Sequence, residues 1–448
     1  MKTRRFLLIL MVLSFSLSLF AEDWLTIYND DLSLVRSNFE ISLEKGKQKF
    51  NFDDITSRIE PASVIVLGKG VRVAEQNYEY DLAGKYQILA KYIDKEVNVV
   101  TNDQSSLQGE LKFYDGSSVG ILENGTSRLI IINEKEIQWI QLASLPNNFY
   151  TKPTLAWSLI ADKKGKHPLS LSYLSGGFSW NVTYNAVWDD ENLALNSWVT
   201  INNSSGKAFE DVNLKLIAGE VNRIRERYKT YARNEMYDMV ESMAMGAAAP
   251  SFEEKAFHDF HMYSLDQKVS FANNQTKQLE LYPIQNVSAE GIYEYQVYSD
   301  EIRSIIKFMN IEDAGLGKPL PKGVIKVYKQ DEDDNMEFIG EDSIDHTGRN
   351  EEIRINTGKA FDLVGITTTV ESKTISNRVY EKEMMVTLKN NSKEEKRINV
   401  VYGLSSNAKI VKSDLRYNLD EVKRTINYTV TIPANEETSF KFRERTEW

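Results

Sequence analysis

Across most of the chain, apolar side chains recur at every second position. The runs are short and end in Asn, Asp or Gly. Leu25 and Ile27 give way to Asn29-Asp30-Asp31, and Leu32 and Leu34 resume the pattern. Phe39, Ile41 and Leu43 lead to Glu44-Lys45-Gly46, then Phe50 and Phe52 follow. Period two is the repeat of a strand with one buried face, so the pattern predicts strands joined by hairpins. The denser run from Val64 to Leu67 predicts a strand buried on both faces. Apolar residues at 42% suffice for several cores, and 448 residues suggest about three domains. The absence of cysteine excludes disulfide staples, thiolate metal sites, a cysteine nucleophile and a lipidated N-terminal cysteine. With 65 acidic against 54 basic residues the net charge is −11, which argues against a generic nucleic-acid binder.

The first 21 residues read as an export signal. Lys2, Arg4 and Arg5 precede a mostly apolar run at 6–20 that ends at Ala21 and meets Glu22-Asp23. That run is short for a membrane span and suits a signal-peptide core. Cleavage after Ala21 removes three positive charges and takes the net charge from −11 to −14. Leu19 is bulky for the third position before such a cleavage, so an uncleaved anchor is the alternative. No later segment has the length of apolar sequence that a spanning helix needs. The expected protein is therefore exported, periplasmic or secreted, with no transmembrane span after signal removal.

The predicted fold is all-β: tandem immunoglobulin-like β-sandwich modules, a small SH3-like barrel and one helical insertion. Residues 22–93 form an N-terminal β module with a short helix, where Leu82, Tyr86, Leu89 and Ile93 lie three or four apart. Residues 94–150 hold five short apolar runs, with Asp115-Gly116 and Asn124-Gly125 as hairpin signals, and suit the small barrel. Some such barrels bind RNA, but an exported chain without a basic cluster here argues against that. Residues 151–310 form a central sandwich and 311–448 a C-terminal one. Within the central module, 220–257 breaks the β pattern. Val221, Ile224, Tyr228, Tyr231, Met239 and Met243 follow helical spacing. Arg223, Arg225 and Arg227 crowd its start, and the AMGAAAP stretch at 244–250 reads as a linker.

Two stretches echo each other. Trp198-Val199-Thr200-Ile201-Asn202-Asn203-Ser204 is matched by Met385-Val386-Thr387-Leu388-Lys389-Asn390-Asn391-Ser392. Downstream, Ala272-Asn273-Asn274-Gln275-Thr276 is matched by Ala434-Asn435-Glu436-Glu437-Thr438. A strand ending in Asn-Asn-Ser turns sharply and pairs with the next, which suits two sandwiches built alike. The first copy has about 70 residues between its signatures and the second about 40, which marks 220–257 as an insertion.

Candidate chemistry is sparse. His258 and His261 at i, i+3 would share a helix face near Glu253-Glu254, but no third metal ligand stands at a recognisable spacing. Asp331-Glu332-Asp333-Asp334-Asn335 opens like a calcium loop, yet Met336 replaces the glycine and Asp342 the closing glutamate, so a hairpin turn is the plainer reading. Ser175-Gly176-Gly177 with His167 or His346 is a weak substitute for the missing Gly-x-Ser-x-Gly elbow. Trp180, Trp188 and Trp198 with Tyr173 and Tyr184 would make a sugar-stacking platform or, more simply, sandwich core. No phosphate loop or dinucleotide fingerprint is present, and no cofactor is expected. Residues expected to touch a ligand or partner are His261, His346, Trp180, Arg223, Arg225, Arg227, Met239 and Met243.

Several motifs also resemble a known family. They are Tyr28-Asn29-Asp30-Asp31-Leu32-Ser33-Leu34-Val35-Arg36, Tyr173-Leu174-Ser175-Gly176-Gly177-Phe178-Ser179-Trp180, the WVTINNSSG stretch at 198–206, His261-Met262-Tyr263-Ser264-Leu265 and Gly315-Leu316-Gly317-Lys318-Pro319-Leu320-Pro321. In this order they resemble the mucoidy-inhibitor-A-like proteins, which carry a C-terminal domain of unknown function. The resemblance implies an exported, β-rich bacterial protein and no particular reaction. The long coiled coil of many relatives is missing. The expected function is that of a non-enzymatic binding or scaffold protein of the envelope, with an envelope protein or polysaccharide as partner and no nucleic acid. An exported hydrolase acting on glycan or peptide, or a carbohydrate-binding module, is the alternative.

Overall fold

The computed structural model describes residues 22–29, 31–80, 85–144, 150–219, 221–223, 251–257 and 260–448. The leader, His258, and Arg225, Arg227, Met239 and Met243 lie outside the described residues. The fold is all-β: the described helical elements are the α-helix Lys85–Ala90 and three single 3-10 turns. Among the described residues, no helix is long and apolar enough to cross a membrane.

Two sheets enclose the largest core. The first runs Phe252–Phe257, Phe260–Leu265, Phe209–Ala218, Glu22–Tyr28, Ser33–Leu43, Gly165–Ser175 and Ile65–Gly68 in spatial order. The second contains Met336–Ile344, Gly323–Gln330, Phe178–Trp188, Asn192–Asn203 and Gln275–Gln296. Leu25, Val35, Tyr173 and Leu216 from the first meet Trp180, Val199 and Ile325 from the second in one apolar cluster. Strand pairing crosses the boundaries drawn at 93 and 150. Glu22–Tyr28 lies parallel to Phe209–Ala218, with Leu25 opposite Leu214, and Ser33–Leu43 pairs along the whole of Gly165–Ser175. The five-stranded antiparallel unit at 96–142 has its own core around Val99, Leu111 and Ile121. It is inserted between Val71–Glu79 and Thr154–Ala161, neighbouring strands in which Glu79 stands opposite Thr154.

The 22-residue strand Gln275–Gln296 also crosses the boundary at 310. It pairs with Asn192–Asn203 as far as Ser288, then with Ile302–Met309 and Lys396–Gly403. Its Tyr295 belongs to a second core with Met384, Val400, Tyr428 and Phe442. Two further expectations are corrected. The helical reading of 220–257 fails at its end, because Phe252–Phe257 is a strand paired with Phe260–Leu265. Nor is the 64–67 run buried on both faces. It forms the sheet-edge strand Ile65–Gly68, with Ile65 56% and Leu67 66% exposed, since β-branched residues favour strands at edges as well as in cores.

The echoed motifs adopt one architecture. Asn203 donates from Nδ2 to the carbonyls of Lys207 and Ala272, while its Oδ1 accepts from the Ser205 amide and hydroxyl. Asn390 donates to the carbonyls of Glu394, Ile432 and Pro433 and accepts from the Ser392 amide and hydroxyl. Each buried amide ties a strand end to the loop that carries the second echoed signature.

One face of the C-terminal sheet bears an ion ladder. Glu371 and Glu383 stand directly opposite, and Arg443 bridges them at 2.7 and 3.2 Å. Arg445 grips Glu381 through Nε at 2.8 Å and a terminal guanidinium nitrogen at 2.5 Å. Its hydrogen bonds, with help from Arg443, hold the Glu381 carboxyl below the usual carboxylate range. A depressed folded-state pKa stabilises above the unfolded value and is lost as pH falls through the folded one. Acid should therefore weaken the C-terminal unit below about pH 4. In Glu381→Gln the difference in stability between denaturant unfolding at neutral pH and at acid pH should shrink; an unchanged difference would contradict the role given to this ladder.

Candidate functional site

The strongest candidate is a groove of about 610 Å³ where the Phe252–Phe257 edge of one sheet meets the opposite sheet. Ser251, Phe252, Glu253 and Glu254 line one side. Glu280, Leu281, Tyr282 and Pro283 of the long strand line the other, and Lys318, Pro319 and Arg349 close it.

A buried asparagine and three tyrosines fix these parts. Asn310 donates to the carbonyls of Lys318 and Gly348 and accepts from the Lys318 amide, so it locks together the two loops that carry Lys318 and Arg349. The hydroxyls of Tyr282 and Tyr263 donate to the Pro319 carbonyl at 3.0 and 3.3 Å, and that of Tyr184 to the Pro321 carbonyl at 2.7 Å. Burial pushes all three phenols above their ordinary range, which keeps them protonated as donors. Removing both Tyr263 and Tyr282 hydroxyls should destabilise by about 1–3 kcal/mol, because the Pro319 carbonyl then has neither donor. Each single Phe variant should cost less than half of that, as the other hydroxyl remains. Thermal unfolding of the two singles and the double checks this, and simple additivity would refute the shared role.

Charge in the groove is mostly paired internally. Glu254, with a side chain only 16% exposed, lies 2.8 Å from Nδ1 of His261 and 3.7 Å from Arg349. Glu253 pairs with Lys255 at 3.1 Å, and the Lys318 ammonium lies 4.9 Å above the Tyr282 ring. Glu280 is the exception: its carboxylate has no hydrogen-bond or ion-pair partner among the described residues.

The other candidates are dispersed. His346 accepts the Lys322 amide through Nδ1, and Arg223 pairs with Glu60 at 2.5 Å. Trp180 is a core residue, 3% exposed and edge-on to Tyr263, and Trp188 is 7% exposed, so neither offers a stacking face to solvent. Alternation in a two-layer sandwich directs those aromatics inward. Ser175 is buried and bonded to Thr56, whereas His167 meets the Lys163 carbonyl. Asp331 closes a hairpin turn by accepting the amides of Asp333 and Asn335, which hold its carboxyl below the usual range. Among the described residues, no three His, Asp or Glu side chains converge as a metal-binding group.

The sequence singled out His261, which touches the groove through Glu254, and placed Glu253-Glu254 near it. Glu280, Tyr282 and Arg349 come from distant parts of the chain and carry no local signal. Lys318 and Pro319 stand in one of the motifs that carried the family resemblance. No family model matches the chain, and no curated protein matches it.

Proposed function

We propose that this chain is an exported, non-enzymatic binding or scaffold protein of the bacterial envelope, resembling the mucoidy-inhibitor-A-like proteins, and that its partner seats in the groove beside Phe252–Phe257. One observation carries the reading: the groove joins an apolar floor to charged groups that are mostly paired with one another, Glu254 lying between His261 and Arg349 and Glu280 alone left without a partner among the described residues. Such a lining suits binding better than bond cleavage, which needs a nucleophile or a free acid–base pair aimed at one point. Two motifs behind the resemblance, at 261–265 and 315–321, contribute to this region, as does the end of the 220–257 insertion. The partner is an envelope protein or polysaccharide.

A photo-crosslinking residue in place of Pro283 tests this in cells. It should form an adduct with an envelope protein or polysaccharide, whereas the same residue in place of the exposed Val411 should not. Equal labelling from both positions, or none from either, overturns the reading. So does turnover of cell-wall glycan or peptide by the purified protein that Glu254→Gln abolishes.

A further inference from the structure

We infer that the groove receives an extended polypeptide, which adds as a new strand to the Phe252–Phe257 edge and places a basic side chain on Glu280; this rests on the binding reading above. The strand Phe252–Phe257 is the terminal strand of its sheet, and among the described residues only Phe260–Leu265 pairs with it. The register is unbroken from Phe252 opposite Leu265 to Phe257 opposite Phe260. One step earlier, the Asp266 amide donates to the Ser251 carbonyl at 3.0 Å. Antiparallel pairs alternate between bonded and non-bonded, so the backbones of 253, 255 and 257 face the neighbouring strand. Those of Phe252, Glu254 and Ala256 face away, offering three amides and three carbonyls along the open edge.

Some other edges are guarded, and the unbroken edges Gly46–Phe52 and Leu129–Asn133 do not line the groove. Leu363–Ser376 is an edge strand whose register is broken at Val370 and Ile375, and bulges of this kind hinder pairing with a second chain. Ile65–Gly68 has only four residues. Phe252–Phe257 has neither a register break nor a proline. It also runs beside the groove, so alternate side chains of an added strand would fall towards Tyr282, Pro283 and Pro319 while its backbone bonds the edge. A polysaccharide would leave the alternating edge amides and carbonyls without a matching partner. The unpaired Glu280 carboxylate beside that apolar floor selects a cation, and charge complementarity here favours a lysine or arginine in the added strand.

The test is a seven-residue peptide, blocked at both ends, with threonine at odd positions and valine, lysine, valine at the even ones. Binding to the full chain is followed by fluorescence polarisation. The peptide should bind, and replacing its lysine with glutamate should weaken binding about tenfold. Glu280→Lys should reverse that preference. Two N-methylated versions give the decisive reading, because an added strand turns alternate amides to the protein. Methylation of one alternating set should weaken binding at least tenfold, and methylation of the other should change it less than about twofold. No binding at millimolar peptide, equal effects of the two methylation patterns, or an unchanged charge preference in Glu280→Lys would each overturn strand addition. Crosslinking from position 283 reads the groove independently: an adduct with polysaccharide sustains the binding reading while strand addition falls.

Discussion

Asn203→Ala and Asn390→Ala are each expected to destabilise their own sandwich by roughly 2–4 kcal/mol, a large loss for changes remote from the groove. Both side chains are 1% exposed, and each bridges backbone groups from two loops. Alanine at 390 leaves three carbonyls without their amide donor and the Ser392 amide without its acceptor. Water cannot easily replace these bonds at a buried strand end, so the desolvation penalty of the orphaned groups dominates. Aspartate is the sharper probe. It keeps the shape and the acceptors but turns a carboxylate oxygen towards the carbonyls of Ile432 and Pro433, so it should cost at least as much as alanine. The two cores can be followed separately. Trp24, Trp157, Trp180, Trp188 and Trp198 lie in strands packed about the Asn203 core, whereas Trp139 of the 96–142 unit is 49% exposed and Trp448 70%. Tryptophan fluorescence therefore follows the Asn203 sandwich, and proteolysis within 379–447 follows the other. If either alanine variant unfolded within 0.5 kcal/mol of the parent, the twin asparagines would be incidental to the fold.

The same pair shows what the sequence made legible. The echo was visible because a buried asparagine that must bond specific carbonyls and the serine two residues on demands the same Asn-x-Ser each time, Asn203-Ser204-Ser205 and Asn390-Asn391-Ser392. Strand periodicity was visible for a related reason: one buried face imposes period two locally. Partner choice leaves no such trace. Nothing near Leu25 announces Leu214 as its parallel neighbour, and nothing near Gln275 shows that its strand leaves one core and enters another. The groove was obscure on the same grounds, since Glu280 and Arg349 meet Glu254 only through tertiary pairing. The 252–257 strand was misread because the Met and Tyr spacing upstream of it carried a helical assignment too far. Its own Phe-Glu-Glu-Lys-Ala-Phe composition favours neither state.

The second large effect is expected at Gly177, and its neighbour supplies the control. The chain passes from Gly165–Ser175 in one sheet to Phe178–Trp188 in the facing sheet through Gly176 and Gly177 alone. Gly177 has φ +88°, and a Cβ there would lie 2.5 Å from the Ser205 Cα and 2.7 Å from its nitrogen. Both obstacles are backbone, held where they are by the bonds that the Ser205 amide and hydroxyl donate to Asn203 Oδ1. Its own amide donates to Asp31 at 2.7 Å and its carbonyl accepts from Ser204 at 2.7 Å, so the turn cannot swing aside. Gly177→Ala should therefore cost about 3–5 kcal/mol, combining left-handed strain with backbone overlap. At Gly176 an added Cβ would meet only the ends of Arg58 and Asp31, each at 3.4 Å. At 3.4 Å this is ordinary van der Waals contact with two half-exposed side chains, so Gly176→Ala should fall within about 0.5 kcal/mol of the parent. Denaturant unfolding of the two variants, followed by tryptophan fluorescence, separates the effects. Because Ser205 is the shared partner, Gly177→Ala in the Asn203→Ala background should cost less than the two single losses added together. Full additivity would mean that the amide network does not hold the crossover in place.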